Sequence, residues 1–181
     1  MKSAWIAASV MITALVATPF SHAQVKPAAK GDFQPYSGQP GKDVVWVPSP
    51  QALVDRMLDM AKLTPKDFLM DLGSGDGITV ITAAKRGARA MGIEYEPPMV
   101  ELSKKNAAAA GVAERATFQQ GDLFAANLSG VTVVMLYLLP EMNLRLRPKF
   151  LDLPPGTRIV AHAFGMADWR ARRCEIGRAH V

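Results

Sequence analysis

The stretch Phe68-Leu69-Met70-Asp71-Leu72-Gly73-Ser74-Gly75-Asp76-Gly77-Ile78-Thr79-Val80-Ile81 decides the fold. An apolar run ends in an acidic residue, a turn with glycine at every second position follows, and a helical pattern then opens. Strand, glycine turn and helix N-terminus in that order form a pocket for a nucleotide-like ligand. At least one of these glycines is expected to take a backbone angle closed to other residues. The missing side chains also let a ligand approach the main chain.

The spacing narrows the ligand. A dinucleotide fingerprint reads G-x-G-x-x-G, with a helix N-terminus facing a pyrophosphate. Here the pattern is D-x-G-x-G-x-G, from Asp71 to Gly77. The third glycine comes one residue early, and a carboxylate sits just before the turn. That negative charge repels a diphosphate and suits a cationic ligand, such as the amino group and sulfonium of S-adenosylmethionine. Asp71, Gly73, Gly75 and Gly77 are therefore candidate cofactor-binding residues. An accidental turn, or another nucleotide fold, is the competing reading.

Outward from this turn, strand and helix patterns alternate. Leu53, Met57, Leu58 and Ala61 recur at helical spacing, so a helix is expected at about 50–62, with Ser49 as cap and Pro50 in its first turn. Strand 68–72 leads to helix 77–86, strand 89–94, and a helix from Pro97 to about 110. Strand 115–119 follows, then a buried central strand over the apolar run 131–137, a helix at about 141–151 and a strand at 157–163. Strands alternating with helices mean an α/β fold, a Rossmann-like parallel sheet with helices on both faces.

In such a sheet, ligands sit beyond the carboxyl ends of the strands. Glu94 ends the second strand, 23 residues after Asp71, where a carboxylate can accept both hydroxyls of a ribose. Asp122 follows the third strand and is placed to accept from an adenine amino group, with Leu123 against the ring. Plain turn chemistry is the alternative for Asp122. Asp76 either supports the ligand or caps the next helix. Tyr137 leaves the fourth strand at the same rim, and either orients an acceptor amine or packs as a core tyrosine; it is the one candidate catalytic residue. Glu141 sits where a helix N-terminus favours an acid in any case. His162 is a lone histidine on a strand and reads first as a packed residue. No metal site is assigned.

The chain has 181 residues, 49% of them hydrophobic, which suits one folded domain rather than disorder. The net charge is +5, but lysines and arginines are scattered, so a solvated surface is expected rather than a nucleic-acid face. Residues 1–23 read as a signal peptide: Lys2, the apolar run 4–17, then Ser21-His22-Ala23 before a mature start at Gln24. A periplasmic or secreted protein is expected, with no membrane span after cleavage; an uncleaved anchor is the alternative. Residues 24–43, with Pro27, Pro35 and Pro40, read as an exposed linker. Cys174 is the only cysteine, so no intrachain disulfide can form. The last residues, Ile176-Gly177-Arg178-Ala179-His180-Val181, are encodable by the start of a common sequencing adapter. Residues 175–181 are thus expected to be a non-native tail, with the domain at 44–174; a natural basic tail is the alternative.

Asp71 to Gly77 matches motif I of the class I methyltransferases. More particular stretches are VVWVPSPQALVDRMLDMA, AAKRGARAMGIEYEPPMV, LYLLPEMNLRLRPKF and TRIVAHAFGMADW. On these the chain resembles the lysine methyltransferases related to the mitochondrial ATP synthase c-subunit lysine methyltransferase, especially exported bacterial relatives. The likeness covers about residues 44–170. It implies S-adenosylmethionine as donor and suggests a protein lysine as acceptor. Ile78 departs from the arginine that relatives often carry there. A complete sheet of this class has seven strands, and the last two are expected to be missing here, as in a truncated chain. Methyl transfer to a small molecule, or donor binding without catalysis, are the alternatives.

Overall fold

The computed structural model describes residues 33–172, together with the backbone of 174–175 and 179–180. The expected signal peptide and the first part of the expected linker lie outside the described residues. The order of elements is α1 (Gln51–Met60), β1 (Phe68–Leu72), α2 (Ile78–Lys85), β2 (Arg89–Glu94), α3 (Pro97–Ala109), β3 (Ala116–Gln120), β4 (Val133–Leu136), α4 (Pro140–Leu151) and β5 (Arg158–His162), with a 3-10 turn at Leu123–Ala125 before β4. Two-residue strands follow, β6 (Cys174–Glu175) and β7 (Ala179–His180).

The sheet runs β3-β2-β1-β4-β5-β7-β6. Its first five strands are parallel, with Leu72 paired to Ile93 on β2 and to Leu136 on β4. The strand order reverses at β1, so a cleft opens where its glycine turn leaves the sheet. The apolar runs are solid because both faces are covered. Leu69, Val133, Met135 and Val160 pack with Val54, Leu58, Val80 and Val100 of α1, α2 and α3. Alternate residues Met70, Leu72, Val134 and Leu136 point the other way, against Met142, Leu146 and Phe150 of α4.

At the amino end of the sheet a polar network closes the structure. Asp67, just before β1, is buried and accepts from the Thr64 amide at 2.7 Å, the Thr64 hydroxyl at 2.9 Å and the Thr132 hydroxyl at 2.8 Å. It also accepts from the Arg158 guanidinium, whose other nitrogen donates to the Ala61 carbonyl at 3.1 Å. The residues after α1 and those beginning β1, β4 and β5 are thereby tied together.

Several expectations are corrected. The central strand is shorter than 131–137. The Val131 amide bonds the Leu128 carbonyl in the incoming turn, and Tyr137 lies beyond the last ladder pair. The last parallel strand loses its outer residues too, since Thr157 closes a turn onto Pro154 and Ala163 has φ +66°. The edge of β5 is not bare: β7 pairs antiparallel with it through Ala161 and His162, and β6 pairs with β7. These strands of two residues satisfy backbone groups that an open edge would leave unpaired. The largest correction is the linker. Residues 36–43 do not run free; they turn back and pack over the cleft with the extended segment that follows them.

Candidate functional site

The glycine turn creates the cleft because its backbone is left-handed at every glycine, with φ of +86°, +54° and +85° at Gly73, Gly75 and Gly77. Residues with a Cβ rarely adopt those angles. The three glycines do different work. Gly73 is exposed and lines the cleft, leaving main chain open to a ligand. Gly75 also lines it, but an added Cβ would sit 2.6 Å from the Trp46 indole nitrogen. Gly77 is absent from the lining: its missing side chain makes room for the Phe118 ring beneath the turn, 2.7 Å from where a Cβ would stand.

The remaining expected residues, Asp71, Glu94, Asp122, Leu123 and Tyr137, all border this cleft. Asp71 is buried at 7% exposure and takes one hydroxyl hydrogen bond, from Thr79. Burial pushes its carboxyl up to about 8; the Thr79 bond opposes that, and the negative charges of Glu94 and Asp76 add to it. Asp76 is also pushed up by burial, and its side chain accepts from the Ile78 amide at 3.2 Å. Asp76 thus braces the entry to α2, whose N-cap position is Gly77, and also lines the cleft.

Glu94 does more than the sequence suggests. Its carboxylate accepts from the amides of Gly75 at 2.9 Å, Tyr95 at 2.8 Å and Glu96 at 3.0 Å. It therefore staples the glycine turn to the end of β2. A carboxylate offers about four acceptor positions, so capacity for a ribose hydroxyl remains on the oxygen facing Gly75. Asp122 likewise has structural work: one oxygen accepts from the Phe124 amide at 2.9 Å, the turn chemistry foreseen, and the other from Lys42 at 2.8 Å. These bonds, the Lys42 one foremost, hold its carboxyl below the ordinary range.

Tyr137 follows β4 on the far side of the glycine turn from Asp122, as the strand order requires. Its ring meets His162 edge-to-face with centroids 4.5 Å apart, so the half-buried His162 packs against the cleft wall. Glu141 is exposed in the first turn of α4, as helix chemistry alone would place it. Ile78 lines the cleft with an apolar side chain.

Sequence reasoning missed the residues that hold the turn from behind. The Ser103 hydroxyl donates to the Gly75 carbonyl at 2.7 Å, and the Asn106 amide to the Asp76 carbonyl at 3.0 Å. Their signal was there: two polar residues three apart on α3, hence on one helical face. Trp46 and Lys42 were missed because they lie in segments that carry no periodic pattern.

The donor set fits a cationic, hydroxyl-bearing ligand. Ser74 lines the cleft, while its buried hydroxyl, which has no hydrogen-bond partner among the described residues, packs over Gly92 of β2. Among the described residues no cation acts on Asp71, and Glu94 has acceptor capacity left. A buried acid with no cation beside it among the described residues is what an ammonium-bearing ligand would satisfy.

Comparison with known proteins points the same way. The ANTKMT methyltransferase domain family matches residues 71–173. A protein-lysine N-methyltransferase of Saccharolobus islandicus is 39% identical over 132 residues, which is 71% of this chain and 82% of that protein. The human ATP synthase c-subunit lysine N-methyltransferase is 32% identical over 155 residues, 85% of this chain; the chain spans 60% of that protein's length. Among solved structures, an RNA methyltransferase of Salinibacter ruber in complex with S-adenosyl-L-homocysteine is 50% identical, with a TM-score of 0.71, covering 74% of this chain and 90% of that one.

Proposed function

The chain belongs to the ANTKMT methyltransferase domain family and is a class I S-adenosylmethionine-dependent methyltransferase; from that premise we propose that it methylates the side-chain amine of a protein lysine. The observation that carries the reading is the half-buried Tyr137, bordering the donor cleft at the end of β4. Its ring face and phenol oxygen are suited to hold an amine. The names of the archaeal and human relatives support a lysine acceptor.

S-adenosylmethionine, when bound, supplies a methyl group on a cationic sulfur, already activated for direct displacement. The protein's part is to position and to exclude water. Asp71 would hold the ligand's ammonium, with the exposed main chain at Gly73 beside it. Glu94 would take a ribose hydroxyl, and Asp122 with Leu123 the adenine edge and face. The acceptor lysine must be neutral to attack, and desolvation at the rim beside Tyr137 and Leu138 favours that form.

One observation favours a second reading: the Salinibacter ruber relative, at 50% identity, is described as an RNA methyltransferase. Both acceptors are tested by incubating the full chain with methyl-labelled donor and a cell extract, intact, RNase-treated or lysine-acetylated. The proposal expects label in protein as methyl-lysine, lost on acetylation and indifferent to RNase. Label confined to RNA or to small molecules would overturn it.

Export remains part of the proposal. Residues 1–23 have the layout of a cleaved signal, so sequencing the mature protein should find Gln24 first. No helix among the described residues is long and apolar enough to cross a membrane.

A further inference from the structure

The segment read from sequence as the end of a linker is built as a closed loop. The Gly38 amide donates to the Trp46 carbonyl at 2.8 Å, and the Trp46 amide to the Gln39 carbonyl at 3.0 Å. The two ends of residues 39–46 are thus clamped together. The buried Gln39 fixes the entry, its side-chain oxygen accepting from the Tyr36 amide at 3.1 Å. Gly41 is required within the loop, because a Cβ there would run into the Val44 carbonyl oxygen.

This loop lies across the donor cleft. Gln39, Lys42, Val44 and Trp46 all line it. Trp46 sits on Gly75 in the turn after β1. Lys42 reaches the turns after β2 and β3: its ammonium lies 4.6 Å from the centroid of the Tyr95 ring and 2.8 Å from Asp122. One loop therefore touches the ends of three adjacent strands, and one of its contacts is the carboxylate assigned to the adenine edge. The Lys42–Asp122 pair is about one-third exposed on both sides. An ion pair so placed is weak and screened by salt, so it can open and close as a ligand enters or leaves.

We propose that residues 39–47 form a strap that shuts over the bound S-adenosyl ligand, and that Lys42 is its latch, setting how fast the ligand enters and leaves. The inference rests on the donor-site assignment. It adds a positioning role to a lysine that touches no reacting atom.

The test uses S-adenosylhomocysteine and the full chain. Stopped-flow dissociation would be followed by the fluorescence of Trp46, with Trp46→Phe identifying its signal. Lys42→Met should raise the dissociation rate about three- to fivefold, the scale of one exposed ion pair. Tyr95→Leu should raise it less. Added salt should speed dissociation from the wild type and leave Lys42→Met unchanged. Hydrogen exchange at the Gly38 and Trp46 amides should slow when ligand binds, and should be faster in free Lys42→Met than in the free wild type. Dissociation rates and amide exchange equal in wild type and Lys42→Met would overturn the strap while leaving the donor site standing. A wild-type chain that binds no S-adenosylhomocysteine would overturn the donor site and the strap with it.

Discussion

Two aspartates near opposite ends of the same strand, both almost shut off from solvent, have opposite fates. Asp67 precedes β1 and is 8% exposed; Asp71 lies within β1 near its carboxyl end and is 7% exposed. Burial pushes both carboxyls up. At Asp67, hydrogen bonds from Thr132, the Thr64 amide, Arg158 and the Thr64 hydroxyl outweigh burial and hold it below the ordinary value. At Asp71 one hydroxyl opposes burial, two acids reinforce it, and the carboxyl stands at about 8. The shallower acid, ringed by donors, makes a finished structural joint at one end of the sheet; the deeper acid, with one hydroxyl donor, makes an unfinished electrostatic site at the other. The unfinished end is the one at which an α/β sheet binds its ligands. Depth of burial and local satisfaction of charge together separate the residue that holds the fold from the residue suited to a cation: Asp71 lies deeper and has fewer donors than Asp67.

The sharpest way to break this contrast is to neutralise each acid in turn. Asp71→Asn should lower affinity for S-adenosylhomocysteine by about 100-fold, the scale of a charge-assisted hydrogen bond lost. Its melting temperature should stay level or rise, since a buried acid lacking a countercharge is removed. Asp67→Asn should do the reverse. Denaturant unfolding should show a loss of about 2 kcal/mol, reduced from the fully buried case because Arg158 reaches solvent, with ligand affinity in the folded fraction within about twofold.

Acidity sharpens the comparison further. A bound ammonium favours ionised Asp71, whereas the free protein holds a proton there up to about pH 8. Affinity should therefore rise with pH, approaching tenfold per unit below pH 8, and level off above it. Stability of the ligand-free protein should move oppositely. Asp71 has a folded value raised above the unfolded one near 4, so its contribution is lost as pH rises from about 4 to about 8. Asp67 has a lowered value, so its contribution is present above pH ~4 and lost in acid. Thermal melts across pH on Asp71→Asn and Asp67→Asn separate the two slopes. The smallest effect is Thr132→Val, which removes one hydroxyl donor to Asp67 and should cost about 1 kcal/mol without touching affinity.

The two ends of the sheet were not equally legible in the sequence. The cleft end announces itself, because a glycine turn and acids at strand ends are local signals: Asp71, Gly73, Gly75 and Glu94 are all read from short motifs. Asp67 was not singled out, since its partners Thr132 and Arg158 are 65 and 91 residues away and share no spacing rule with it. The same limit hid Lys42, whose partner Asp122 is 80 residues on, and made a folded loop read as a linker. Gly77 shows the converse. Its motif position suggests ligand approach, while its neighbour in space is Phe118, a packing partner that only the folded sheet brings there. The five parallel strands were readable in chain order, because the central ones carry apolar runs and β3 carries an alternating pattern. The short β6 and β7 were not, since two residues carry no period.

The most direct measurement is the number of protons released when S-adenosylhomocysteine binds at pH 7, by calorimetry in two buffers of different ionisation heat. The account predicts release approaching one proton for the wild type and for Thr132→Val, and none for Asp71→Asn. Binding by the wild type with no proton released, at an affinity that Asp71→Asn leaves intact, would contradict it.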